Sequence, residues 1–486
     1  MNNPKIAELE PKILFKHFDA LTAVPRPSKR EQKAVAWLQE TIRSLGYEPI
    51  TDAVGNVIVR KPGSKGHENA PMLLLQGHID MVCEKNRDTV HDFDNDPIPT
   101  VLDGDWIRTK GTTLGADNGI GVALGLALLE SKDVVHPPLE MLFTIDEETG
   151  MTGASALKPG QLEAHRMINL DSEEEGIVYV GCAGGGDTVG RLALEYQEAP
   201  AGLKAMDLRV GGLRGGHSGT DIQKGRGNAI QILGQAVRSL MCAIPGVRLS
   251  TFQGGSKRNA IAREAEAVVL IPEDKLSLAA ERAAKVASEV LQALSPVEPD
   301  LKITLEPAAG SFRAIHAAQA SRILDTILAL PHGVLRMSSD IEGLVETSTN
   351  LATVTMDGDT LVIGTSQRSL IDSVKKEAIR KVQASLRLGG FAVKSGAGYP
   401  GWKPNMSSKL LAAFVSSYEE LFHKKPEVLA IHAGLECGLI GEVYPGMDMI
   451  SVGPTILDPH SPAERLNVPD VRKFWKTLLV MLEKLA

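Results

Sequence analysis

The 486-residue sequence predicts an α/β domain interrupted by a long inserted α+β domain. Short apolar runs alternate with helical stretches over residues 1–183, the rhythm of a sheet with helices on both faces. From Gly184 the texture changes to alternating strands and long Ala- and Glu-rich helices, and this continues through residues 184–399. After a Gly- and Pro-rich stretch, Ser395 to Pro404, the first rhythm returns over 400–486.

In chain order, residues 11–21 and 33–45 place apolar side chains at three- and four-residue spacing and predict amphipathic helices. Residues 56–60 and 71–76 predict strands, and the second is apolar throughout, as in a strand buried on both faces. Small apolar residues over 119–129 predict a buried helix, and 139–144 and 167–171 predict two further strands. In the insert, 205–212 and 265–272 alternate as strands, while 228–243, 276–294 and 371–386 read as helices. Residues 353–364 read as a hairpin turning at Asp357-Gly358-Asp359. The insert is long enough for two sheet-plus-helices units in tandem. Residues 395–404 read as a linker or hinge. The closing segment holds a helix at 409–423, strands at 427–431 and 449–452, and a helix at 471–485.

Composition narrows the class. Hydrophobic residues make up 43% and charged residues 23%, which is globular and excludes a disordered or fibrous chain. The formal charge of −8 supplies no broad positive field for nucleic acid or an anionic membrane. No apolar run approaches the roughly 20 residues of a membrane span. The start, Met1-Asn2-Asn3-Pro4-Lys5, does not read as a signal peptide. Cys83, Cys182, Cys242 and Cys437 are scattered and form no CxxC pair. A cytoplasmic protein without a disulfide framework is expected.

Five loops that follow predicted strands or open a helix carry metal-type ligands: His78-Ile79-Asp80, Asp117, Asp146-Glu147-Glu148, Asp171 and Asp458-Pro459-His460. Taken alone each has an ordinary reading: a surface turn, a helix cap, a solvated acidic turn. Together they form a pattern, because open α/β sheets bind ligands at the carboxyl ends of their strands. In an HxD pair the acid can orient the imidazole toward a metal. His and carboxylate donors without Cys suit Zn²⁺, Co²⁺ or Mn²⁺. Two His and three acids exceed one tetrahedral zinc but fit two ions sharing a carboxylate, with one acid left as a proton shuttle.

Gly77-His78-Ile79-Asp80-Met81-Val82, Thr113-Leu114-Gly115-Ala116-Asp117-Asn118-Gly119, Asp146-Glu147-Glu148-Thr149-Gly150, Asn169-Leu170-Asp171-Ser172-Glu173, Gly215-Gly216-His217-Ser218-Gly219 and Pro459-His460-Ser461-Pro462 occur in this order. They resemble the co-catalytic di-zinc peptidases and amidohydrolases that include carboxypeptidase G, aminoacylase and the dipeptidases. The long insert and the Tyr399-Pro400-Gly401-Trp402 return are similar to the bacterial dipeptidase branch of that family. The resemblance spans nearly the whole chain. It implies a zinc-peptidase-like catalytic domain with a central mixed sheet flanked by helices, interrupted by an α+β lid. His78 and Asp171 are then expected to bind one ion, Glu148 and His460 the other, and Asp117 both. Asp80 is expected to hold the ring of His78, Glu147 to act as general base, and His217 to donate to the oxyanion from the lid, by lid closure or from a second subunit. Glu173, Glu174 and Glu175 are expected to form a solvated acidic loop.

The resemblance implies hydrolysis of unblocked dipeptides, Xaa-His types such as carnosine included, by water activated between two divalent ions, Zn²⁺ or in its place Co²⁺ or Mn²⁺. It also implies a homodimer acting on a small peptide, with no nucleic-acid or membrane partner. Arg368 and Asn259 are candidates for the substrate carboxylate, and Gly434 and Glu436 for its amino end. The metal residues do not separate a dipeptidase from a carboxypeptidase, an N-acyl amino acid deacylase or an aminotripeptidase. A non-catalytic peptide-binding module is the alternative of a different class.

Overall fold

The apolar run Leu73-Leu74-Leu75 lies at the middle of a mixed eight-stranded sheet and is wholly shielded from water. The computed structural model describes residues 6–486; the amino-terminal pentapeptide read for a signal lies outside the described residues. The chain divides into two units. The first comprises the described residues up to Gly181 with Pro404–Ala430 and Leu435–Ala486; the second comprises Cys182–Lys403 and Ile431–Gly434.

The sheet of the first unit runs Ile50–Thr51, Val57–Lys61, Leu139–Thr144, Leu73–His78, Arg166–Asn169, Asp448–Ser451, Ile177–Cys182, Glu427–Ile431. Four neighbours, 139–144, 73–78, 166–169 and 448–451, are parallel, and the rest of the recorded pairings are antiparallel. Parallel neighbours need a crossover, and the helix Ala116–Glu130 lies in the one between 73–78 and 139–144. Its residues from Ala116 to Leu129 are all buried, which is why the sequence there is small and apolar on every side. The helix Lys12–Thr22 packs on it, and Lys409–Phe422 packs on the closing helix Val468–Leu485. A smaller four-stranded sheet orders Ile456–Leu457, Arg465–Asn467, Trp106–Thr109 and Thr100–Asp103.

The second unit is one antiparallel sheet in the order Lys302–Pro307, Leu203–Gly211, Ala265–Pro272, Arg248–Gly254, Val345–Asp357, Thr360–Ser369, Gly184–Ala193, Ala392–Ser395, with Gly333–Met337 beside 345–357. Helices Ala229–Ala243, Leu276–Leu294, Ala317–Ala329 and Asp372–Leu388 contribute to its core. The two units expected in tandem are edge-to-edge halves of this one sheet, joined at the pair Gly254↔Val354. They are nested in sequence, because Gly184–Ala193 pairs with 360–369 and 392–395 rather than with the strands that follow it. The stretch read as a linker is instead pinned: Trp402 bridges Cys182 and Tyr399 bridges Gly185.

Candidate metal centre

The four parallel strands end on one edge, and the loops leaving that edge carry the acids and imidazoles. His78 is the last residue of its strand and lies in register with Thr144. Asp146 precedes Glu147 in the left-handed region at φ 51°, and His460 itself stands at φ 58°. Non-glycine residues with such values are uncommon and cluster where a site fixes the backbone.

The side chains converge on Asp117. His78 Nε2 is 3.1 Å from Asp117 Oδ1 and 3.3 Å from Asp171 Oδ1. His460 Nε2 is 3.0 Å from Asp117 Oδ2 and 3.0 Å from Glu148 Oε2. Asp117 thus turns one oxygen to each imidazole, with one further carboxylate on each side. On the far side of its ring, His78 Nδ1 faces Asp80, 3.4 Å from the carboxylate and 3.2 Å from the carbonyl. Asp80 in turn accepts from the Glu147 N–H at 3.0 Å, the Glu148 N–H at 3.3 Å and the Ser28 hydroxyl at 2.7 Å. One carboxylate therefore ties the imidazole to the backbone of the Glu147-Glu148 turn.

Supporting residues that the sequence reading missed hold this arrangement. The Glu464 carboxylate accepts the N–H groups of Leu114, Gly115 and Ala116 at 2.8, 3.0 and 2.8 Å and that of Asp117 at 3.3 Å. It satisfies donors that a helix start leaves without intrahelical partners. Buried Arg26 donates to the carbonyls of Ile79, Asp80 and Gly115. The Asn118 amide donates to Leu170 O at 2.7 Å, next to Asp171. A Cβ on Gly77 or Gly121 would stand 2.3 or 2.2 Å from Asn118 Oδ1, so glycine is required at both positions.

Electrostatics show what the cluster lacks. Burial opposes a charge on His78, yet Asp171, Asp117 and Asp80 together hold its pKa well above the usual imidazole value. Hydrogen bonds to Asp117 and Glu148 raise His460 likewise. Asp117 is held far below the carboxylate range by the two imidazoles, against its own burial. Burial, reinforced by Asp117 and Glu436, lifts Asp171 to about 7 against the pull of His78. Burial raises Glu147 as well, and Asp171, Glu436 and Glu148 add to it. Glu173 is not part of a solvated loop as expected: burial and the charges of Asp117 and Asp171 push it up to about 9. Glu148 Oε1 is buried without a hydrogen bond among the described residues. So many acids around two imidazoles need positive charge to ionise together. Divalent cations supply it, and these N/O donors without Cys fit such ions. His78, Asp117 and Asp171 form one group able to hold an ion, and Asp117, Glu148 and His460 another.

Glu436, expected at the substrate's amino end, is fully buried, with Oε2 accepting from Gln76 at 2.6 Å and Thr144 at 2.7 Å. Gln76 continues through Asn169 to Ser451, a polar chain crossing three strand ends.

The remaining candidates belong to the second unit, where one face of the 345–357/360–369 ladder gathers them. Ser348 lies opposite Arg368 and Asn350 opposite Ser366, so both pairs share a face. Asn350 donates to Ala260 O at 2.8 Å and Arg258 O at 3.3 Å, fixing the segment that carries Asn259. Asn259 O accepts from the Ser218 N–H at 2.8 Å, and His217 pairs with Ala260. Arg368 Nη1 donates to the Tyr399 hydroxyl at 3.1 Å, while its Nε has no partner. Arg368 and Asn259 line one cavity of about 730 Å³. His217 Nδ1 accepts the N–H groups of Gly219 and Thr220 at 3.3 and 3.2 Å, so the neutral ring carries its proton on Nε2. Burial, then Arg368, lowers the pKa of His217 and keeps that form. Gly434 lies in the short 431–434 segment of this unit.

Comparison with known proteins identifies the family. The family model described as peptidase family M20/M25/M40 matches residues 74–484. The chain is 40% identical over 481 residues to the cytosol non-specific dipeptidase of Escherichia coli (strain K12), covering 99% of each. Among solved structures, aminoacylhistidine dipeptidase from Vibrio alginolyticus matches with a TM-score of 0.92 and 42% identity, over 99% of this chain and 98% of that one. Aminopeptidase PepT from Bacillus cereus matches with a TM-score of 0.57 and 16% identity, over 98% and 99%, a likeness of fold alone. The chain belongs to peptidase family M20/M25/M40.

Proposed function

We propose that this chain is a metal-dependent dipeptidase of the cytoplasm that hydrolyses unblocked dipeptides, aminoacyl-histidines among them, and works as a homodimer. The observation that carries the reading is the division of Asp117 between His78 and His460, with Asp171 and Glu148 flanking them and Glu147 beside them. His78 and Asp171 would hold one divalent ion, Glu148 and His460 the second, and Asp117 would serve both; Zn²⁺ would be the first choice, with Co²⁺ or Mn²⁺ able to substitute. When bound, such a pair supplies Lewis acidity and makes water nucleophilic near neutral pH.

The chain's own residues do the rest. Asp80 keeps the His78 ring oriented and anchors the Glu147 backbone. Glu147 takes a proton from the attacking water and later gives it to the departing amine nitrogen. His217 donates from Nε2 to the developing oxyanion once the second unit closes, or from a second subunit. Arg368, with Nη1 held by Tyr399, keeps its Nε edge for the substrate carboxylate in bidentate fashion, and Asn259 stands on the same cavity. A carboxylate clamp of this kind selects short peptides with a free carboxyl end. Gly434 and the buried Glu436 remain the candidates for the amino end.

A hydrolysis panel tests the reading: dipeptides, tripeptides and N-acyl amino acids offered to metal-stripped protein and to protein restored with each ion. Dipeptide cleavage that returns only with metal supports it. Preference for tripeptides or N-acyl amino acids replaces it with another activity of the family. A solution mass twice the 52.0 kDa chain supports the dimer.

A further inference from the structure

His432 directly follows the strand Glu427–Ile431. It is 5% exposed, and its Nε2 lies 2.7 Å from the Ser348 hydroxyl. Ser348 is the ladder partner of Arg368, so the ring stands one side chain away from the guanidinium on the same face. The segment that carries it also meets the His217 loop: a Cβ on Gly219 would stand 2.3 Å from His432 O and 3.1 Å from the His217 ring. Among the described residues, three buried polar atoms of this cluster make no hydrogen bond, namely His432 Nδ1, Arg368 Nε and Ser218 Oγ.

Buried donors left unpaired are costly, so their concentration in one place points to a ligand that pairs them. The charge pattern says what kind. His432 is driven down to about 3 by burial first and by the Arg368 charge next, while the Val345 carbonyl pulls weakly the other way and His217 adds to the lowering. Arg368 and two neutral imidazoles, with Asp221 as the acid acting on His217, make a spot of positive potential. The tautomer in which Ser348 donates to Nε2 puts the ring proton on Nδ1, the nitrogen without a hydrogen bond among the described residues.

We infer that His432 is a further substrate-positioning residue, anchored through Ser348, whose Nδ1–H joins the Arg368 fork in holding the carboxylate of the substrate's C-terminal residue. This rests on the dipeptidase reading above and deepens it. The clamp then has a charged fork that supplies attraction and a neutral donor that supplies direction.

Steady-state kinetics on a dipeptide and on its C-terminal amide test this in the full-length metal-loaded protein. The amide is read as a competitive Ki where it is not cleaved. Loss of one hydrogen bond to a charged group corresponds to roughly 10- to 100-fold in affinity. His432→Ala is expected to raise the dipeptide KM by that factor, leave kcat within about 3-fold and leave the amide constant unchanged. His432→Gln, which keeps a donor, is expected to recover part of the loss, and Ser348→Ala to show a smaller KM rise of the same kind. If His432→Ala does not fold, the Gln and Ser348 variants decide. Equal effects on dipeptide and amide, or an effect on kcat alone, overturn the inference and leave the dipeptidase reading standing. A wild-type enzyme that binds dipeptide and amide equally overturns the carboxylate clamp and this inference together.

Discussion

The two units each collect imidazoles, and they treat them in opposite ways. In the first unit, carboxylates surround His78 and His460 and raise both above the ordinary imidazole value. In the second, burial and Arg368 lower both His217 and His432. The first cluster is a set of acceptors short of positive charge, which is the chemistry of a cation site. The second is a set of donors short of an acceptor, which is the chemistry of an anion site. The backbones differ in the same sense. Parallel strand ends fan their loops onto one edge and bring distant acids together. An antiparallel ladder instead sets fixed pairs side by side on one face.

The largest test of this contrast removes the proposed base from the acidic cluster. Glu147→Gln is expected to lower kcat by about 10²–10⁴-fold while metal content, read by mass spectrometry, stays that of the wild type. Retained turnover breaks the assignment of the base. On the opposite cluster, Arg368→Ala is expected to raise the dipeptide KM by about 100-fold with a much smaller change in kcat, because bidentate charged hydrogen bonds are lost from binding. If kcat falls instead, the second cluster serves the transition state rather than the carboxylate.

Smaller effects probe the frames. Gly121→Ala forces a methyl group to within 2.2 Å of Asn118 Oδ1, beside Asp117. Overpacking of this kind costs about 1–3 kcal/mol, and thermal unfolding with a metal-binding assay is expected to show both weakened. Per pH unit, the smallest effect is acid sensitivity of the second unit. His432 is neutral when folded, with its pKa lowered to about 3 from an ordinary 6.5. Below pH 6.5 the unfolded chain binds a proton that the folded chain refuses. Stability is therefore full above pH 6.5 and falls with pH by up to about 1.4 kcal/mol per unit for this group. His432→Gln is expected to flatten the pH dependence of unfolding by that amount; an unchanged slope contradicts the neutral buried ring.

Much of the first cluster was legible because its ligands follow apolar strands in the chain: His78 ends Leu73–His78, and Asp146-Glu147-Glu148 follows Leu139–Thr144. Its supports were not. Glu464 acts on Asp117 from hundreds of residues away, and nothing local distinguishes it from a solvated acid, while Glu436, read as a candidate for the substrate's amino end, accepts from Gln76 and Thr144. Glu173 was misread for the same reason, since three successive glutamates look like a surface turn until Asp117 and Asp171 are brought near. The sheet of the second unit was only partly legible. Gly184–Ala193 opens with three glycines, which hides a strand that pairs on both edges. His432 follows an ordinary strand, 427–431, whose sequence resembles the first unit while the histidine itself belongs to the second.

On the proposed reading, the first cluster holds two divalent ions through Asp117. Metal content per chain, measured during titration of stripped protein and compared with Asp117→Asn, tests it most directly. Two ions per wild-type chain, with turnover rising alongside their uptake and both lost in the variant, is the predicted result. Full turnover with one ion or none, or an Asp117→Asn chain that still binds two ions as tightly, would contradict it.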